Sequence, residues 1–187
     1  MNIFCFDSDP VIAAQMNCSK YTIKLILEVG QLLSTAHRVL DGKLVIGLSK
    51  SGRSQKQYLH PQQLLYKNTH VNHPSSIYCR ESTEQYNWAA QHLQALCKEY
   101  TFRYGKIHKA EKEGLVQWLV SNVPQNIGKK KIFSLPHVAM PDDCIIKNSS
   151  GEVDVVASYR NYMCKNKRHL ADWSGKVNSR EVPHWYH

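Results

Sequence analysis

The 187-residue sequence predicts a mainly α-helical fold, a single compact domain over residues 1–187 with one small β-hairpin. Three observations carry that expectation. Helix start and stop signals bracket two long stretches: Asp9-Pro10 and Asp41-Gly42 around the first, Ser76 or Ser82 and Gly105 around the second. Within both stretches apolar residues recur at three- and four-residue spacing. Strand-like sequence is confined to Lys43–Leu48 and Gln57–His60, which flank a turn of Ser, Gly, Lys and Arg from Ser49 to Ser54.

In chain order, Asn2–Phe6 reads as a short strand or an extended arm. The first helix then runs from Pro10 to Leu40, with a break near Asn17–Ser19. Beyond the hairpin the chain is loop as far as Pro74, with a helical turn over Pro61–Tyr66. The long second helix ends at Tyr104, and a shorter one covers Ala110–Val120. Pro124–Asp143 is irregular and basic, with Gly128-Lys129-Lys130-Lys131 at its centre. A last helix covers Val153–Trp173 and an irregular tail closes the chain. No repeat, low-complexity segment or linker divides the sequence.

Composition bounds the function. Apolar residues make up 42% and charged residues 21%, the balance of a globular chain. No run approaches the roughly 18 apolar residues of a membrane span, and the opening Met1–Asp7 lacks the basic and apolar regions of a signal peptide. The expectation is a cytoplasmic protein with no membrane partner. The six cysteines form no CxxC pair and read as reduced core thiols. Among the ten histidines, His70 and His73 stand three apart, as do His184 and His187, without a cysteine or carboxylate at ligand spacing. No metal and no cofactor is expected. The net charge of +9 suits a polyanionic partner, DNA or a nucleotide, and equally a basic surface kept for solubility.

Three polar constellations stand out. On the first helix Lys24, Glu28, Gln31, Thr35 and Arg38 fall in one narrow sector, and the remaining girth is almost wholly apolar. Such a helix is buried on most sides. Its stripe is either a solvated seam with a Lys24–Glu28 pair or a cleft wall facing a ligand. The second constellation is Asn72-His73 before the long helix, Arg80 near its start, and the exit Arg103–Lys109 with Lys106, His108 and Lys109 beyond the glycine stop. The third is Tyr159-Arg160-Asn161-Tyr162. Aromatic rings interleaved with cations suit bases and phosphates, or else a core with a capped helix end. The sequence pattern groups Lys24, Glu28, His73, His108 and Arg160 around one concave site, with Glu28 near its floor.

The run Lys24-xxx-Glu28-xx-Gln31-x-Leu33, followed by Asn72-His73-Pro74 opening a long helix with a basic-aromatic exit, resembles the pyrimidine-dimer DNA glycosylase (endonuclease V) family of phages and bacteria. The closing Pro183-x-Trp185-Tyr186 is similar to that family's aromatic tail. Tyr100–Lys109, Met140-Pro141-Asp142 and Tyr159–Tyr162 look like segments of a further phage protein type, and a phage origin would place the chain in the host cytoplasm. The resemblance implies a compact helical fold that acts on a base displaced from the DNA stack, with Glu28 as catalytic carboxylate and Lys24 beside it. Gln31, Asn72, His73, Arg80, Arg103, Lys106, His108, Lys109, Tyr159, Arg160 and Trp185 would meet the nucleic acid. One feature departs from the family. Its lyase chemistry uses an α-amine exposed by methionine removal, whereas Asn2 keeps Met1 in place, so glycosidic cleavage or transfer is expected over lyase chemistry. The alternative is a nucleic-acid- or nucleotide-binding phage protein without catalysis, one that counters host defence.

Overall fold

The computed structural model describes residues 1–48, 51–128 and 133–187. Helix α1 (Pro10–Gln15) starts where the Asp9 carboxylate accepts the amides of Val11 and Ile12, with Pro10 pre-set in the first turn. After Met16 the chain re-forms as α2 (Ser19–Asp41). The C-terminal tail fills the break between them. Trp173 donates its indole N–H to the Met16 carbonyl, and Ser19 donates its amide and hydroxyl to the carbonyls of Asp172 and Ser174.

Past Gly42, β1 (Lys43–Leu48) pairs antiparallel with β2 (Ser54–Leu59), from Lys43 opposite Leu59 to Leu48 opposite Ser54. Ser49 and Lys50 of the expected turn lie outside the described residues. The short α3 (Pro74–Tyr78) is capped by His73. It leads to α4 (Thr83–Tyr104), with Ser82 as N-cap and Gly105 left-handed at φ 64°. A left-handed Gly114, φ 84°, divides α5 (Lys109–Lys112) from α6 (Leu115–Ser121). Two short strands, β3 (Ile146–Lys147) and β4 (Val153–Asp154), form a second antiparallel ribbon before α7 (Val155–Asn166).

Helix α4 lies centrally, packed on α1, α2 and α6, while α2 also packs on α3 and α6. Leu25, Ile26, Leu32 and Leu33 of α2 meet Tyr86, Leu93 and Leu96 of α4 in one contiguous core. Each such side chain contributes about 1.5–3 kcal/mol by leaving water. All six cysteines are free and five are buried. Among the described residues no helix is long and apolar enough to cross a membrane.

Mainly helical architecture with a hairpin is what the sequence predicts, but several details differ. Of the two forms expected for Asn2–Phe6, the arm and not the strand is found. It is an extended segment threaded through the core, with Phe4 stacked on Tyr21 at 4.3 Å and on Tyr162 at 5.9 Å. Pro61–Tyr66 makes a turn without a helix. The expected single helix over Ala110–Val120 is broken at Gly114. The last helix stops at Asn166, short of Trp173, with only a 3₁₀ turn at Arg168–Leu170 beyond it. The apolar girth of α2 is not uniformly covered: Ile23 and Leu27 are exposed, one turn apart and flanking Lys24 and Glu28.

Candidate active site

The polar stripe of α2 is neither a solvated seam nor a bare cleft wall, because distant chain segments are bound along it. At its C-terminal half the Arg38 guanidinium donates to three carbonyls, Tyr66 at 2.6 Å, Leu65 at 2.9 Å and Tyr58 at 3.0 Å. The Thr35 hydroxyl donates to Gln31 O at 2.7 Å and accepts the Thr69 amide at 3.1 Å. The loop after β2 is thereby fastened to the helix. At the N-terminal half, Glu28 holds the start of the chain.

Glu28 is 13% exposed and its two oxygens are divided between partners. Oε2 accepts the Asn2 amide at 3.1 Å. Oε1 pairs with Lys24 Nζ at 3.2 Å, one turn earlier on α2, and lies 3.9 Å from the Met1 α-amine. Asn2 is buried and fixed on every side. Its Nδ2 donates to Ala139 O at 2.8 Å, and its Oδ1 accepts the Ile3 amide and the Tyr159 hydroxyl, both at 2.8 Å. A carboxylate so nearly withdrawn from water is stable only with such pairing.

His73 lies within electrostatic reach of this group. Burial lowers its pKa, the positive charges of the α-amine and His70 lower it further, and Glu28 opposes them. Its Nδ1 accepts the Ser75 amide at 3.2 Å, which leaves the ring proton on Nε2 as a donor. His70, three residues earlier, is exposed and holds a left-handed backbone at φ 48°, the one non-glycine residue among those described with positive φ. That conformation costs on the order of 1 kcal/mol and persists only where surroundings enforce it. Here they do: Thr69 is bound to Thr35, and Arg80 donates to Val71 O at 2.7 Å.

Lys24 and Glu28 are paired and His73 lies within electrostatic reach of Glu28, with Gln31 half-buried a turn further along α2 and Asn72 exposed beside His73. The other expected contacts have different employment. Arg103 is fully buried and paired with Glu99 at 2.6 Å, so it meets no phosphate. Arg80 clamps the loop that carries His73. Tyr159 is fully buried as the anchor of Asn2 and offers no face for a base. Arg160 does not join Glu28; its Nε donates to Phe6 O at 2.9 Å and its Nη2 lies 3.6 Å from Asp7. Trp185 stacks on Phe6 at 5.1 Å. His108 caps α5 by accepting the Ala110 amide and packs against Tyr100. Lys106 and Lys109 are exposed, Lys109 within 3.6 Å of Glu113. Lys129, Lys130 and Lys131 lie outside the described residues.

Sequence reasoning missed Asn2, the Met1 amine as a neighbour of Glu28, and His70. The Thr69-His70-Val71-Asn72-His73 spacing was the one signal for His70; nothing local marks Asn2, whose partners other than Ile3 stand 26 to 157 residues away. Comparison with protein families, with curated proteins and with solved structures gives no match in any of the three.

Proposed function

We propose that this chain acts at the N-glycosidic bond of a damaged or modified base in DNA, with Glu28 as the carboxylate that works on the sugar. The observation that carries the reading is Glu28 itself, an almost buried carboxylate on a polar stripe, oriented by Lys24 and the Asn2 amide, with the His73 N–H donor nearby. When the C1′–N bond breaks, its electron pair leaves with the base and positive charge develops on the sugar. Glu28 stabilises that charge and takes a proton from the water that attacks C1′. The departing base gains its proton from solvent, while neutral His73 offers it a hydrogen bond from Nε2–H. Exposed Ile23 and Leu27 beside the carboxylate offer an apolar ledge for a base drawn out of the stack. The resemblance of the Lys24–Leu33 and Asn72–Pro74 segments to the pyrimidine-dimer glycosylases supports the same chemistry.

The test is Glu28→Gln, assayed on oligonucleotides that carry defined damaged or modified bases. The near-isosteric change keeps the fold and lowers turnover by roughly 10²–10⁴. Unchanged turnover removes Glu28 from the mechanism. Borohydride trapping of a covalent adduct in the same assay reports whether the Met1 amine attacks the sugar.

A second reading, a nucleic-acid- or nucleotide-binding protein without catalysis, is favoured by the net charge of +9 and the exposed Lys24, Lys106 and Lys109. Tight binding with no base release across the whole panel would select it.

A further inference from the structure

At the C-terminal end of α2, three side chains that the Glu28 cluster does not use converge. His37 and Asp41 stand one helical turn apart and share a face. His60, just past β2, brings its ring to the same place. One ligand atom from each lies within 4.8 Å of the other two. Trp118 walls the group, 4.7 Å from the His37 ring and 6.4 Å from the His60 ring.

The hydrogen bonds around His37 determine which nitrogen looks inward. The Tyr86 hydroxyl gives its proton to Leu119 O at 3.0 Å, so its oxygen accepts from His37 Nε2 at 2.8 Å. The Asn122 carbonyl, 3.2 Å from the same nitrogen, is also an acceptor only. Nε2 therefore carries the ring proton, and Nδ1 is a bare lone pair. It faces the Asp41 carboxylate at 3.9 Å, one electron-rich atom opposite another. Asp41 is oriented in turn by the amides of Gln125 at 2.8 Å and Asn126 at 3.0 Å.

We propose that His37 Nδ1, the Asp41 carboxylate and His60 bind one divalent transition ion of the zinc type. Two imidazoles and a carboxylate form a set of borderline donors suited to zinc, with a fourth position for water. The Nε2–H bonds to Tyr86 and Asn122 supply the outer support that fixes a ligating histidine. Ligands on a tetrahedral zinc ion stand about 3.3 Å apart, so capture draws His37 and Asp41 together by roughly half an ångström. His60 gives up the Gln62 amide that its Nδ1 accepts at 3.1 Å, a partly exposed bond that water replaces. The site is about 14–20 Å along α2 from Glu28, too far to touch the same substrate atom. Its effect is to clamp the end of α2, the base of the hairpin and the Gln125-Asn126 loop into one unit.

The full chain, reduced and stripped with a chelator, is titrated with Zn(II) against a chromophoric competitor and separately with Co(II). One zinc per chain is expected. Both His60→Gln and Asp41→Asn should weaken it at least tenfold while leaving the zinc-free urea melt cooperative. At about a hundredfold excess over the parent's Kd, zinc should raise the parent's Tm by about 5–10 °C and each variant's by no more than about half as much. Glu28→Gln should bind zinc as the parent does, so this site and the glycosidic reading fail separately. A parent that binds no stoichiometric zinc, variants that bind it undiminished, or a cobalt spectrum of thiolate ligation each overturns the proposal.

Discussion

Arg103 and Glu99 face each other inside the protein, and Arg180 closes the group from the tail. Glu99 Oε1 accepts from Arg103 Nε at 2.6 Å, and Oε2 from Arg180 Nη2 at 2.9 Å. Glu99→Gln leaves a guanidinium buried without its counter-charge. The expected cost is about 3–5 kcal/mol, read from urea midpoints at constant m-value; a loss under 1 kcal/mol would mean that water reaches Arg103. His92 carries a different liability. It is fully buried, stacked on Trp88, and its pKa is lowered to about 4 by burial. Because the folded value lies below the unfolded one of roughly 6.5, the unfolded chain binds the extra proton between those limits. The stabilising contribution is therefore complete above about pH 6.5 and is lost as pH falls towards 4, at up to roughly 1.4 kcal/mol per pH unit. Urea melts at pH 7 and pH 5 should show it, with a shallower fall in His92→Gln. At His70, Asn tolerates a left-handed backbone. His70→Asn should hold stability within about 0.5 kcal/mol while reducing base release, if the His70 imidazole serves the Glu28 site. Full activity in that variant would make the turn purely structural.

Helix boundaries follow from local chemistry, so they were the most legible part of the sequence. Asp9-Pro10, Ser82 and Gly105 act where their residue types predict, because a cap needs only neighbours within one turn. Ser82→Ala should cost about 1 kcal/mol through loss of its bond to the Gln85 amide, measured by thermal or urea unfolding. What stayed hidden is what a distant segment decides. The break between α1 and α2 is held by Asp172, Trp173 and Ser174. Residues 2–6 look like a strand by composition yet find no strand to pair with, and are held instead by Phe4–Tyr21 stacking and the Asn2 bonds. The hairpin was readable from two strand-like runs flanking a turn, but that pattern does not reveal that the face of Leu44, Ile46 and Leu48 is left open to solvent.

For the molecule as a whole, 24 Lys and Arg against 15 Asp and Glu imply an electrostatic bias towards polyanions. DNA binding should weaken steeply with salt, and replacing Lys129, Lys130 and Lys131 together should flatten the slope if that segment meets phosphate. An affinity that ignores salt between low and physiological levels would point to a small neutral ligand. The charge total is legible without a structure, but the allocation of individual cations is not. Arg80, Arg103 and Arg160 have the residue type of a phosphate contact, and each is committed to a carbonyl or carboxylate inside the fold.

Helical class, the caps of α1 and α4, the hairpin and the alignment of Lys24 with Glu28 were determined by the sequence alone. Each depends on residues close along the chain, where the 3.6-residue and two-residue periods give direction directly. Tertiary structure decided the rest: that Glu28 grips the Asn2 amide, that His73 comes within its electrostatic reach while Arg160 turns to Phe6 and Asp7, and that His60 meets His37 and Asp41. A buried polar group takes whichever partner the packing of remote segments delivers, and no local pattern in the chain records that choice.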